Sequence, residues 1–290
     1  NGVAWGDYDQ DGDIDIFVSS SASEADKLFR NEGNGAFVDA TSGPLGDTGS
    51  GTGVAWGDYD NDGDLDLYLA NSGQANRLFR NEGGAFVDAT SGPLGDTGGG
   101  RNVAWADYDR DGDLDLYLTN FTGTHRLFRN EGVGGFSDAT PALLGGTGSW
   151  GTAWADYDND GDLDLYLSTN SGGDKLFRND GNGIFADVTS GALNDPGNGH
   201  GVAWADYDND GDLDVFVTNG ITGGIEQTPI LGKLLLPIGP GEELSLNGLG
   251  QEHLRVVLNV SVEAGGATFQ ATDDEEVREQ RGRASLGKLR

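Results

Sequence analysis

The segment Asp-Tyr-Asp begins at Asp7, Asp58, Asp107, Asp156 and Asp206, so five copies follow one another at steps of 51, 49, 49 and 50 residues. Self-similarity at such a period marks tandem supersecondary units, each unable to bury its apolar face alone and completed by stacking on its neighbours. Every unit repeats one order of features. Gly-Val-Ala-Trp-Gly-Asp-Tyr (residues 53–59) is a short apolar and aromatic run, followed by an acidic loop and by Leu65-Asp66-Leu67-Tyr68-Leu69, which alternates as a strand does. Arg77-Leu78-Phe79-Arg80-Asn81 comes next, then the Gly-rich turn Glu82-Gly83-Gly84, then Phe86-Val87-Asp88-Ala89-Thr90. Turns such as Asn31-Glu32-Gly33-Asn34-Gly35 carry the residues that tight hairpins require.

Four short strands per unit predict an all-β chain, and the period predicts a β-propeller of four-stranded blades. Four full blades fit between residue 1 and about residue 190, and a fifth keeps only its first two strands, ending near Gly220. The predicted division is a repeat domain over 1–224 and a different segment over 225–290. There the aromatic signature is lost, Leu254 to Val262 reads as a strand, and Asp273 to Arg283 reads as a charged helix or tail. Three readings of this segment stay open: it supplies the missing strands of the fifth blade, it forms a separate small β module, or it is foreign sequence from a gene-assembly error. With no Met, even at position 1, the chain is expected to be a piece of a longer protein whose export signal lies upstream.

The formal charge is −32, and residues 1–220 supply −29 of it, from 39 acids against 10 bases. Such a surface repels nucleic acid and anionic membranes, and no apolar run is long enough to span a bilayer. The acids stand at fixed places among Trp, Tyr and Leu, so disorder does not account for them. Their natural counterpart is a cation.

Each loop places carboxylates at positions 1, 3, 5, 7 and 9 and Gly at position 6. The first holds Asp7, Asp9, Asp11, Asp13 and Asp15; the second, Asp58, Asp60, Asp62, Asp64 and Asp66. The third holds Asp107, Asp109, Asp111, Asp113 and Asp115; the fourth, Asp156, Asp158, Asp160, Asp162 and Asp164; the fifth, Asp206, Asp208, Asp210, Asp212 and Asp214. Calcium takes six to eight oxygen ligands, and alternating carboxylates on a curled backbone supply them. Side chains at positions 1, 3, 5 and 9 and the backbone carbonyl at position 7 are the expected ligands, giving about five Ca2+, one per loop. An EF-hand is excluded, because position 12 is Val18, Leu69, Leu118, Leu167 or Val217 instead of Glu, and strands rather than helices flank the loop.

Asp-x-Asp-x-Asp-Gly-x-x-Asp loops inside Trp- and Phe-containing repeats resemble FG-GAP/VCBS repeats, which build the integrin-like β-propeller. The resemblance covers residues 1 to about 220. It implies calcium in the loop joining the first two strands of each blade, a seven-bladed parent propeller, and an exported adhesion or ligand-binding protein.

Trp5, Trp56, Trp105, Trp154 and Trp204 share one position and are expected to pack between blades. Phe29, Phe79, Phe128 and Phe177 are expected in the core, and Arg30, Arg80, Arg129 and Arg178 to pair with nearby acids. Function is sought where repeats differ. Arg101, Phe121, His125, Trp150 and His200 are expected to gather on the face opposite the calcium loops, as contacts for a protein or glycan ligand. No nucleophile or hydrolase motif accompanies the three His residues, so an enzyme is not expected; the rival reading is the carbohydrate-facing, non-catalytic module of a larger polysaccharide lyase or hydrolase. Loops of this type suit the millimolar calcium outside cells. Asn120-Phe-Thr and Asn259-Val-Ser match the glycosylation pattern.

Overall fold

The computed structural model describes residues 2–21, 24–207 and 210–220, and three strands beyond them, Leu231–Leu235, Leu258–Glu263 and Gly266–Ala271. Asp208 and the predicted charged helix or tail at Asp273 to Arg283 lie outside the described residues.

Every described element is a β-strand or a short 3-10 turn, with no α-helix among the described residues. The first antiparallel sheet orders β1 (Val3–Gly6), β2 (Asp15–Val18), β3 (Lys27–Asn31) and β4 (Phe37–Asp39) as they follow in the chain. The second contains β5 (Gly51–Gly57), β6 (Asp66–Asn71), β7 (Arg77–Asn81) and β8 (Phe86–Asp88). The third and fourth repeat the pattern with β9 (Gly100–Ala106), β10 (Asp115–Asn120), β11 (Arg126–Asn130) and β12 (Phe136–Asp138), then β13 (Ser149–Ala155), β14 (Asp164–Thr169), β15 (Lys175–Asn179) and β16 (Phe185–Asp187). A fifth sheet has three strands, β17 (Asn198–Ala205), β18 (Asp214–Gly220) and β19 (Leu231–Leu235), and β19 pairs antiparallel with β18. The chain divides into two compact units, Asn1–Leu244 and Ser245–Arg290. In the second unit β20 (Leu258–Glu263) pairs antiparallel with β21 (Gly266–Ala271).

Each sheet buries one face against the next. Tyr8, Phe17 and Leu28 of the first repeat share a core with Leu67, Leu69 and Phe79 of the second, and the same sharing recurs between later neighbours. The repeated Trp closes these interfaces. Trp56 meets Phe17 edge-on at 6.3 Å, Trp105 meets Tyr68 at 6.2 Å, Trp154 meets Tyr117 at 6.0 Å and Trp204 meets Tyr166 at 6.0 Å. Such edge-to-face pairs add about 0.5–1.5 kcal/mol beyond area burial. Trp5 is 62 % exposed.

The turn after each fourth strand contributes a buried leucine: Leu45, Leu94, Leu144 and Leu193. The buried tyrosines of the second strands fasten three of these turns, donating from Tyr68 to Leu94 O at 2.6 Å, Tyr117 to Leu144 O at 2.8 Å and Tyr166 to Leu193 O at 3.0 Å. First strands approach their counterparts closely. A Cβ on Gly53 would lie 2.5 Å from Arg101 O, so only glycine fits between β5 and β9 there.

Candidate metal centres and a row of bulged residues

The acidic loop closes on itself by the same bonds each time. Its position-6 glycine has φ between 88° and 96°, and the glycine N–H donates to the position-1 carboxylate at 2.9–3.1 Å. The position-7 N–H donates to the position-5 carboxylate at 2.8–3.0 Å. The position-9 carboxylate is buried at the start of the second strand and accepts from the position-2 Tyr N–H at 3.0–3.2 Å. In the first four repeats it also accepts, at 2.8 Å, from the Asn N–H that ends the third strand.

These bonds converge the remaining oxygens. One carboxylate oxygen each from Asp7, Asp9 and Asp15 lies within 4.8 Å of the others, as do those of Asp107, Asp109 and Asp115, of Asp156, Asp158 and Asp164, and of Asp58, Asp60 and Asp62. Thus positions 1, 3 and 9 meet in three loops and positions 1, 3 and 5 in the second. The position-7 carboxylates look elsewhere. Asp64 accepts from Gln10 Nε2 at 2.9 Å and from Gly83 N–H at 2.8 Å, Asp113 accepts from Asn61 Nδ2 at 2.8 Å, and Asp162 pairs with Arg110 at 3.0 Å.

The clusters fit a hard divalent cation. Asp7 Oδ1, Asp9 Oδ1, Asp107 Oδ1 and Asp156 Oδ1 are shielded from solvent with no hydrogen-bond partner among the described residues. A buried acceptor without a partner costs about 1–3 kcal/mol, and more when charged, so such oxygens call for a cation. Protonation behaviour agrees. Burial, reinforced by the neighbouring position-5 carboxylate, raises the pKa of Asp9, Asp60, Asp109 and Asp158. Burial pushes Asp66, Asp115 and Asp164 up to about 7, against the lowering effect of their backbone hydrogen bonds. Carboxylates crowded in this way are strained acids unless a positive charge sits among them.

Adjacent loops are tied together by residues to which the sequence reading gave no role. Asn81 Nδ2 donates to Tyr8 O at 2.8 Å, Asn130 Nδ2 to Tyr59 O at 2.7 Å and Asn179 Nδ2 to Tyr108 O at 2.8 Å, each reaching back into the preceding repeat's loop. In the other direction, the position-4 residues Gln10, Asn61 and Arg110 hold positive φ and reach forward to the next loop. Only the recurrence of Asn after Phe-Arg in the third strand could have signalled the first set.

Arg30, Arg80, Arg129 and Arg178 pair with acids, among them Glu32, Glu82, Asp109 and Asp180. Of the residues expected on the opposite face, four meet. The guanidinium of Arg101 lies 5.1 Å from the Phe121 ring centre and 4.5 Å from that of Trp150, and Trp150 stacks on His200 at 4.8 Å and 14°. His125 does not join them. It is 1 % exposed and its Nδ1 accepts from Asn120 N–H at 2.9 Å, as Asp26, Asn76 and Asp174 accept from Ser20, Asn71 and Thr169 in the other repeats. Asn120 is likewise unsuited to carry a glycan: it is buried and its Nδ2 donates to Thr124 O at 2.7 Å and Asp96 at 3.0 Å. Asn259 stands in β20.

The family model described as FG-GAP-like repeat matches residues 7–69, 58–118, 107–167 and 166–217. No curated protein matches the chain. The crystal structure of the V. cholerae biofilm matrix protein Bap1 is similar at 15 % identity and a TM-score of 0.37, over 74 % of this chain and 34 % of that one, so this chain spans about a third of its length. With overlapping matches running from the first acidic loop to the second strand of the fifth sheet, the chain belongs to the FG-GAP-like repeat family.

Proposed function

We propose that the chain is a calcium-stabilised β-propeller module of an extracellular protein, acting in adhesion or ligand binding with a protein or glycan partner on the face opposite its loops. The observation that carries this reading is the recurrence, in four loops, of three carboxylate oxygens within 4.8 Å of one another. Calcium is favoured over magnesium, because an all-protein cage of carboxylates and a carbonyl suits a large cation that sheds its waters, whereas magnesium retains several. The side chains at positions 1, 3, 5 and 9, with the position-7 carbonyl, would hold the ion, and Asp208 completes the set by sequence in the fifth loop. Bound there, the ion supplies positive charge and links strands; no reaction is assigned to it.

Blade-like packing is supported by first strands that neighbour one another in chain order and by cores shared between successive sheets. An extracellular setting is the one that suits loops of this kind. Loops that serve as scaffold remain filled where calcium is millimolar. A non-catalytic role accords with the state of the described histidines, one committed as a buried hydrogen-bond acceptor and one stacked on Trp150.

Calorimetry and titration test the reading. About five ions should bind, and each contributes about 2.7 kcal/mol at a hundred times its dissociation constant. Identical melting in calcium and in EGTA, with no ion taken up, would overturn it.

A further inference from the structure

Four successive repeats carry an irregularity at one place in the first strand. The registers of β5 with β6, β9 with β10, β13 with β14 and β17 with β18 slip there, leaving Thr52, Arg101 and Trp150 out of their ladders, and His200 with Gly201 out of the last. A β-bulge re-aims a side chain and is common beside binding sites. Here the slips put the four side chains in one row. Thr52 Oγ1 donates to Gly100 O at 2.7 Å, the Arg101 guanidinium covers the Trp150 ring, and Trp150 stacks on His200. Thr52, Arg101, Asn102, Trp150 and His200 line a depression of about 330 Å3.

Charge gives the row its chemistry. Nine of the ten Lys and Arg residues in 1–220 form ion pairs; Arg101 forms none among the described residues, although acids outnumber bases 39 to 10 there. Its Nε and the Nε1 of Trp150 are shielded from solvent and lack a hydrogen-bond partner among the described residues. Unmet buried donors cost about 1–3 kcal/mol each, which a ligand acceptor would recover. With rings against its face, the guanidinium keeps its edge, a planar fork that matches a carboxylate with two parallel N–H donors. Burial holds His200 below its ordinary pKa, so among the described residues lining the depression Arg101 carries the one positive charge at neutral pH, suited to a monoanion rather than a phosphate dianion. The volume sits at the small end of ligand sites, roughly 300–1,000 Å3, which favours a sugar acid or a single amino-acid carboxylate over an extended chain.

We propose that this row is a carboxylate-binding site, with Arg101 as the fork, Trp150 Nε1 and the Asn102 side chain as neutral donors, and His200 and Phe121 as the packing that holds the fork in place. The proposal deepens the ligand-face reading given above and rests on it. The test titrates the calcium-loaded full chain with methyl glucuronide, N-acetylglycine and methyl glucoside, following heat and the Trp150 indole 1H–15N resonance. At least one acid should saturate with an affinity ten-fold or more above the neutral glucoside and shift that resonance. The stronger acid identifies the source of the carboxylate. Arg101→Gln should abolish the preference, Arg101→Lys, which keeps charge but loses the fork, should weaken it about ten-fold, and Trp150→Phe should weaken it several-fold. Absence of binding by either acid, equal binding of glucuronide and glucoside, or undiminished binding by both Arg101 variants would overturn the proposal. Calcium uptake in the same samples separates the outcomes: ions bound without acid leaves the scaffold intact and removes this site, while acid bound without ions does the reverse.

Discussion

The amide of Asn81 donates to the carbonyl of Tyr8 across 2.8 Å, joining the end of one repeat's third strand to the acidic loop of the repeat before it. Asn130 and Asn179 repeat the bond one and two units further on. Since Asn81 also donates to Leu65 O in its own loop and accepts from Gly84 N–H, a single side chain holds two loops and a turn. Asn81→Ala should therefore cost about 1–3 kcal/mol, as expected when buried backbone groups lose their partner. Denaturant unfolding in saturating calcium measures it, and the loss should be larger than for Asn31→Ala, whose side chain donates to Ile14 O and accepts from Gly33 N–H, both within its own repeat.

Removing one ligand should remove one ion. Asp107→Asn replaces an oxygen that has no partner among the described residues and lowers the negative charge of the third loop. Calcium stoichiometry should fall by one in a titration, with the fold retained. An unchanged stoichiometry would show that position 1 is not a ligand.

Loop coupling should be measurable through Arg110, which reaches from the third loop to Asp160 O and Asp162 in the fourth. Arg110→Ala removes a charge that competes with an ion for the fourth loop's field and a strut that shapes it. The expected outcome is a change in affinity at the fourth loop with little change at the first, read by NMR of the position-6 glycines, whose amides mark each loop separately.

One structural position yields opposite pH responses in two repeats. Asp26 is buried, and burial pushes its pKa up to about 6. The folded state then holds its proton more tightly than the unfolded chain, so this stability is present below about pH 4 and is lost as pH rises through 6. At the equivalent place, burial lowers His125 to about 4, so its contribution is present above about pH 6.5 and is lost as pH falls through 4. Asp26→Asn, which copies Asn76, should raise stability at pH 7.5 by about 1–2 kcal/mol and flatten the melting profile between pH 4 and 7. A profile identical to the wild type would refute the assignment.

Gly53→Ala should destabilise by about 1–3 kcal/mol, since its Cβ would meet the backbone oxygen of Arg101 at 2.5 Å, which no rotamer change can relieve. The same substitution at Gly63 is costly for a different reason, its φ of 95°, with open space around the new methyl.

What repetition made visible, the sequence disclosed well. Four strands per unit, the acidic loop between the first two, and the packing role of Trp56, Trp105 and Trp154 all follow from patterns seen several times over. Partners in other repeats were harder to see. Asn81 looks like a strand end until Tyr8 O is brought beside it, and Leu45 looks like a loop residue until the turn folds it inward. His125 misled for a related reason: Asp26, Asn76, His125 and Asp174 share no chemistry except the capacity to accept one backbone N–H, so an internal structural position resembled a variable surface one. In the fifth sheet, Leu231–Leu235 pairs with β18 without the Leu-Phe-Arg-Asn motif of the other third strands, because a strand needs only backbone and a compatible register to join a ladder.

The forward reach of Gln10, Asn61 and Arg110 gives the array a polarity. The second, third and fourth loops are each braced by a residue of the unit upstream, while each of the same junctions is also tied back by an asparagine of the downstream unit. A disturbance at one station would reach its neighbours both ways, through a strut toward the C-terminal side and through an asparagine tie toward the N-terminal side. Such an assembly behaves as a coupled series rather than as independent beads.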